Sequence, residues 1–155
     1  SRILTAVQQP AGAVLQVVQA TTNTQSSVSS TSLVTTGISA SITPTSSTSK
    51  ILVRFITSVY TAANGRGTAF AIYRGASQIW YPGNANSSGG FGSFYVANGN
   101  DCAAMIPIEY LDSPATTSST TYTLYAATVN GLVYFNLTGT PNSGQTSVIL
   151  MEIAG

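Results

Sequence analysis

Histidine is absent from this 155-residue chain, and cysteine occurs once. Without histidine, Ser/His/Asp triads, Cys/His pairs and the usual histidine-bearing zinc and iron sites are excluded. A single cysteine, Cys102, allows no internal disulfide framework. Its neighbours Ala103, Ala104, Met105 and Ile106 predict a small buried apolar residue rather than a reactive thiol. Charge is scarce too. Arg2, Lys50, Arg54, Arg66 and Arg74 stand against Asp101, Glu109, Asp112 and Glu152, and charged residues are 6% of the chain. Five scattered cations make no basic stripe, so nucleic-acid binding is not expected. No apolar run approaches the ~18 residues that would span a bilayer, so no membrane insertion is expected. The N-terminus lacks the charged-then-apolar pattern of a signal peptide. It begins at Ser1 as if an initiator Met had been removed, which predicts synthesis in a cytoplasm.

Catalytic material is correspondingly thin. Gly83, Gly89, Gly90 and Gly92 lack the spacing and the strand–loop–helix setting of a phosphate cradle. A glycosidase needs two carboxyls facing across a cleft, and only four acids exist to choose from. Asp101 and Asp112 fall in turn positions, where Asp caps its own backbone. Glu109 and Glu152 fall inside strands, where either is a candidate structural partner for Arg54. The chain reads as a non-enzyme that needs no cofactor and no metal.

What is present is strand pattern. The run Ser49-Lys50-Ile51-Leu52-Val53-Arg54-Phe55-Ile56-Thr57-Ser58-Val59-Tyr60 puts Ile51, Val53, Phe55 and Val59 on one side of a period-two alternation. Its other side, with Leu52, Ile56 and Tyr60, is apolar as well except for Arg54. That is the signature of a central strand in a sheet packed on a second sheet. Arg54 there needs a carboxylate or an interface to meet.

Around this run the chain divides into an N-terminal arm, residues 1–12, and a domain, residues 13–155. In the arm, Pro10 and Gly12 mark a turn into the domain. A frayed terminus is the ordinary fate of such a segment. Arg2, Ile3, Leu4 and Val7 predict instead an arm that lies on a neighbouring chain or adds to a sheet edge. Strands follow over 13–20, 33–42 and 51–60, with the Ser/Thr-rich 21–32 as polar edge strand and loop. After Asn64-Gly65, the segment 68–74 is expected as the hairpin partner of the central strand. Short aromatic strands follow at 78–81 and 91–96, then a longer one at 102–111. Asn130-Gly131 predicts a two-residue hairpin between 122–129 and 132–137, and 146–153 closes the chain. The architecture expected is all-β, a two-sheet antiparallel β-sandwich of jelly-roll type with about eight to nine strands.

Trp80 and Tyr81, beside Pro82 and a loop holding Asn84 and Asn86, have two readings. An aromatic plate next to amide side chains suits a sugar face. A plug for the sandwich end or a subunit interface suits large aromatics better. The sequons at Asn86 and Asn136 carry no weight without a secretory signal.

Four blocks carry a resemblance. They are Ala13-Val14-Leu15-Gln16-Val17-Val18-Gln19, then residues 41–53 around Ser41-Ile42-Thr43-Pro44, then Leu111-Asp112-Ser113-Pro114-Ala115-Thr116-Thr117, and finally Val148-Ile149-Leu150-Met151-Glu152-Ile153-Ala154. In this order they resemble a β-sandwich domain of tailed-bacteriophage virion proteins, frequent in phages of aquatic bacteria including cyanobacteria. The resemblance runs from about Gly12 to the C-terminus. It implies a trimeric protein of the virion surface, assembled in the host cytoplasm, and brings no catalytic residues. Two roles fit it: a capsid decoration (cement) protein bound to the major capsid protein, or the tip of a tail fibre, joined to a shaft and recognising a host glycan. Only a short arm precedes the sandwich, with no shaft, so decoration is the expectation. The arm would then grip the shell, and the surplus aromatics would lie in the core or between subunits.

Overall fold

The computed structural model describes residues 9–61, 66–83, 93–96, 102–129, 131–137 and 144–155. It is all-β, with two antiparallel sheets packed face to face. In chain order the strands are β1 (Val14–Thr22), β2 (Ser26–Val28), β3 (Val34–Ile42), β4 (Lys50–Thr61), β5 (Arg66–Arg74) and β6 (Ser77–Trp80). They continue with β7 (Ser93–Val96), β8 (Cys102–Asp112), β9 (Thr120–Val129), β10 (Val133–Phe135) and β11 (Thr146–Ile153).

Sheet order makes this a jelly roll. In the front sheet β4 is central: β8 runs along one edge over its whole length, and β11 and β10 share the other edge. Outside these lie β1 against β11 and β2 against β10. The back sheet runs β3-β9-β5, with β6 and β7 sharing the far edge of β5. Three strand positions are thus each filled by two pieces: β1 with β2, β6 with β7, and β10 with β11. Counted that way there are eight positions, ordered 1-8-3-6 in front and 2-7-4-5 behind, the jelly-roll order.

This order overturns both expected hairpins. β5 does not pair with β4, and β10 does not pair with β9. The physical reason is edge occupancy. β4 already has β8 on one side and β10 and β11 on the other, while β9 has β3 and β5. The connection at Gly131 therefore crosses from one sheet to the other. A true two-residue hairpin joins β5 to β6 through Gly75, whose φ of 56° supplies the left-handed turn, with Arg74 facing Ser77. The turn expected at Asn64-Gly65 lies outside the described residues.

Alternation along β4 builds the core. Ile51, Val53, Phe55 and Val59 are essentially without exposed surface. They meet Phe70, Ile72, Tyr122 and Leu124 from the back sheet and Val148, Leu150, Val133 and Phe135 from their own. Phe70 and Phe135 touch edge-to-face across the two sheets, with centroids 6.1 Å apart. One end of the interior is polar. There Thr57 Oγ1 meets Thr146 Oγ1 at 2.9 Å, Thr146 donates to Asn136 Oδ1 at 2.8 Å, and Asn136 Nδ2 donates to the Thr24 carbonyl. Asn136 takes a φ of 50°, breaks the ladder between β10 and β11, and is wholly buried, so its sequon presents no accessible amide. Cys102 begins β8 half-buried, less enclosed than its apolar neighbours predict.

A candidate interaction surface on the front sheet

The two outer faces of the sandwich differ in chemistry. On the back sheet, Ser39, Ser41 and Thr121 point to solvent, and Ser41 and Thr121 hydroxyls join at 2.7 Å. Beside them Tyr73 and Tyr125 stack at 3.8 Å, and Tyr73 Oη donates to Gln78. The front sheet presents the opposite. Strand register lines up Val17, Met151, Leu52 and Leu111 in one row across β1, β11, β4 and β8. Val17 is 56% exposed and Leu111 47%. The next row is Gln19, Ile149, Arg54 and Glu109, and the one after it Thr21, Ser147, Ile56 and Pro107. Farther along, Met105 is 55% exposed, and Tyr60 and Tyr134 pack ring against ring at 6.1 Å. At the opposite rim a row runs Val14, Ile153 and Lys50 across β1, β11 and β4.

A bulge in β1 sets this surface. Between Val14 and Gln16 the register slips by one residue, which turns both Val14 and Val17 outward and Gln16 inward. The slip is what lets an amide near the start of β1 reach the interior while its apolar neighbours line the outer face.

Arg54 finds its carboxylate within the row. It lies directly opposite Glu109 on β8, with Arg54 Nε donating to Glu109 Oε2 at 2.6 Å. Both side chains keep over 40% exposure, so the pair is a surface one that contributes little to the stability of a single chain. Glu152, the other candidate partner, is on the opposite side of the same sheet and fully buried. Gln16 Nε2 donates to its Oε2 at 2.6 Å, while Thr45 N–H and Thr45 Oγ1 donate to its Oε1 at 2.7 and 2.8 Å. Burial alone would push this carboxyl up. The donors of Gln16 and Thr45, with the nearby Ser49 hydroxyl acting as a dipole outside bonding geometry, outweigh it and hold the group at about 2. Glu152 thereby ties β1, β11 and the β3–β4 connection together. Glu109 and Glu152 face opposite sides of a sheet, so they cannot flank a bond across a cleft, and a glycosidase built on that pair is ruled out.

Asp112 corrects another expectation. Rather than capping a turn, it ends β8 buried and accepts from Arg74 Nη1 at 3.0 and 2.8 Å and from Tyr122 Oη at 2.8 Å. Burial, the hydrogen bond to Asp112 and the Asp112 charge, in that order, push the Tyr122 phenol far up, against a smaller opposing pull from Arg74. Since Arg74 and Tyr122 belong to the back sheet, this cluster bolts the two sheets together. It sits at the end where β1 begins and β11 finishes, where Gly12 N–H donates to the Ala154 carbonyl and Ala154 N–H to Ala13.

The remaining sequence candidates divide plainly. Trp80 closes β6 opposite Ile72, half-buried and packed against the core. Tyr81 follows it, half-buried, its phenol pushed up by desolvation. Asn84 and Asn86 lie outside the described residues, as do Arg2, Ile3, Leu4 and Val7 of the arm. Missed from sequence were Gln16 and Thr45 as partners of Glu152, Arg74 and Tyr122 as partners of Asp112, and the front-sheet row. The row did leave a signal: the unbroken apolar run Val148-Ile149-Leu150-Met151, which alternation on a one-sided strand does not produce. Among the described residues no group of three or more acidic, cysteine or histidine side chains could hold a metal ion, and no helix is long and apolar enough to cross a membrane. Compared with protein-family models and with curated proteins, the chain matches none.

Proposed function

We propose that this chain is a structural protein of a tailed-bacteriophage virion, and that it decorates the capsid as an oligomer, bridging neighbouring copies of the major capsid protein. The observation that carries the reading is the outer face of the front sheet, where one row, Val17, Met151, Leu52 and Leu111, is apolar across four strands, and Ile149, Ile56 and Pro107 extend it among polar neighbours. A monomeric soluble protein rarely leaves so contiguous an apolar surface to water, and such surfaces mark protein contact. The resemblance of its four sequence blocks to virion-surface sandwiches supplies the setting. Under this reading the work done is physical. A protein that binds only the assembled shell stabilises that shell by linkage, in proportion to the logarithm of its free concentration over its dissociation constant. The arm residues Arg2, Ile3, Leu4 and Val7 are assigned to gripping shell subunits, and the sandwich to holding the copies together.

Immunogold labelling of intact virions tests this. Label over the head supports decoration, and a chain lacking residues 1–9 is then expected to fold but fail to bind heads. Label confined to the tail tip overturns decoration in favour of a receptor-binding fibre tip, with Trp80 and Tyr81 as the place to seek a glycan.

A further inference from the structure

We infer that the outer face of the front sheet is where copies of this chain associate with one another, and that Arg54 and Glu109 exchange partners across that contact. Three observations fix the occupant. The first is area. Four strands about 4.8 Å apart and roughly ten residues long present on the order of 600 Å². Two such faces together bury on the order of 1,200 Å², the lower edge of what specific interfaces need. The second is composition. The row Val17, Met151, Leu52 and Leu111 is as apolar as the contacts of permanent homo-oligomers, which are more hydrophobic than those of partners that come and go. The third is charge. Among the described residues the only ion pair on this face is Arg54 with Glu109, one of each sign, side by side and more than 40% exposed. A surface with equal and opposite charges at its centre is complementary to itself: the guanidinium of one copy can meet the carboxylate of the next without any unpaired charge. A strongly charged partner would find nothing to oppose it here.

This deepens the assembly reading above by naming the surface and its partner, but its test requires no capsid. Two such faces laid together close on each other, so sedimentation equilibrium on the purified chain is expected to give about twice the 15.9 kDa of one protomer. Leu52→Arg and Met151→Arg, both at outward positions, should leave the circular dichroism of the sandwich unchanged and weaken association at least about a hundredfold, because each buries an unpaired cation. Ser39→Arg, on the outer side of the back sheet, should leave the mass unchanged.

The exchange of partners has its own readout. Arg54→Glu and Glu109→Arg each place like charges together and should be monomeric alone. Mixed in equal amounts they should assemble, since each then meets its opposite. A monomeric parent protein, or an oligomer that survives Leu52→Arg and Met151→Arg, overturns the inference. Failure of the two charge variants to assemble on mixing overturns the exchange. A monomer in solution whose label still decorates heads would sink this inference and leave the proposed function standing. An oligomer found only at tail tips would do the reverse.

Discussion

Glu152 enters the fold as a carboxylate with no exposed surface, held by Gln16 and Thr45 at about 2 against 4.5 for an unperturbed glutamate. Its folded value is depressed, so the stability it contributes is fully present above the unfolded value, near pH 4.5. That contribution is lost as pH falls through the folded value near 2. The size of the depression corresponds to roughly 3 kcal/mol at neutral pH. Glu152→Gln tests this without changing side-chain volume. The amide replaces one acceptor oxygen by a donor that faces either Gln16 Nε2 or the Thr45 N–H, so at least one buried donor loses its acceptor. Urea unfolding followed by fluorescence suits the measurement, because Trp80 is the sole tryptophan and packs against the core. With both proteins at one concentration, so that association contributes equally, the variant should be less stable by about 3 kcal/mol at neutral pH. The difference should shrink steadily between about pH 4.5 and pH 2. Two stability curves that stay parallel through that window would refute the argument, since they would mean the carboxylate is not what the Gln16 and Thr45 donors stabilise.

Two further outcomes follow from the interior. Asp112→Asn should cost about 2–4 kcal/mol, because Arg74 keeps its charge and loses its counter-ion, whereas Tyr122→Phe should cost only about 1–2 kcal/mol through one lost hydrogen bond. Urea titration ranks the pair, and an equal loss from both would show that the guanidinium is not held by Asp112. Gly144→Ala should cost about 1–3 kcal/mol, since a Cβ there would stand 1.9 Å from Ser58 Oγ and 2.9 Å from Ser58 Cβ, and only the hydroxyl can rotate away. A thermal midpoint unchanged from the parent would count against that packing.

Alternation made much of the fold legible. β4 was readable from Ile51, Val53, Phe55 and Val59 because those positions do one thing only, which is to fill the space between sheets. Strand partners were not readable, and the two Asn-Gly turns misled for a common reason. Such a turn favours a sharp reversal, but whether the returning strand lies beside its predecessor depends on whether an edge is open, and β4 and β9 have none. The interior carboxylates escaped for a different reason. Nothing local to Glu152 distinguishes a partner 136 residues away on β1 from one across the sheet, and the bulge that turns Gln16 inward leaves no mark in the residue types. Arg54 was half legible: its need for a carboxylate was plain from the strand around it, while the choice of Glu109 rests on register.

The unequal outer faces are best understood through the same alternation. A strand in an isolated sandwich has one face on the core and one on water, so its sequence should read apolar and polar by turns. β3 and β9 obey: Ile38, Ala40 and Ile42 are buried while Ser39 and Ser41 face out, and Tyr122 and Leu124 are buried while Thr121 faces out. β4 and β11 do not. Leu52, Ile56, Ile149 and Met151 stand where solvent-facing positions should carry polar groups; Leu52 and Met151 lie directly opposite each other, while Ile149 faces Arg54 and Ile56 faces Ser147. Within the sandwich these side chains have no second layer to meet. Replacing Leu52 or Met151 by a polar residue therefore removes nothing from the core, and an isolated chain should tolerate it within about 0.5 kcal/mol. A larger loss that depends on protein concentration would locate their partner in another copy, whereas a larger loss independent of concentration would return them to the stability of the single chain.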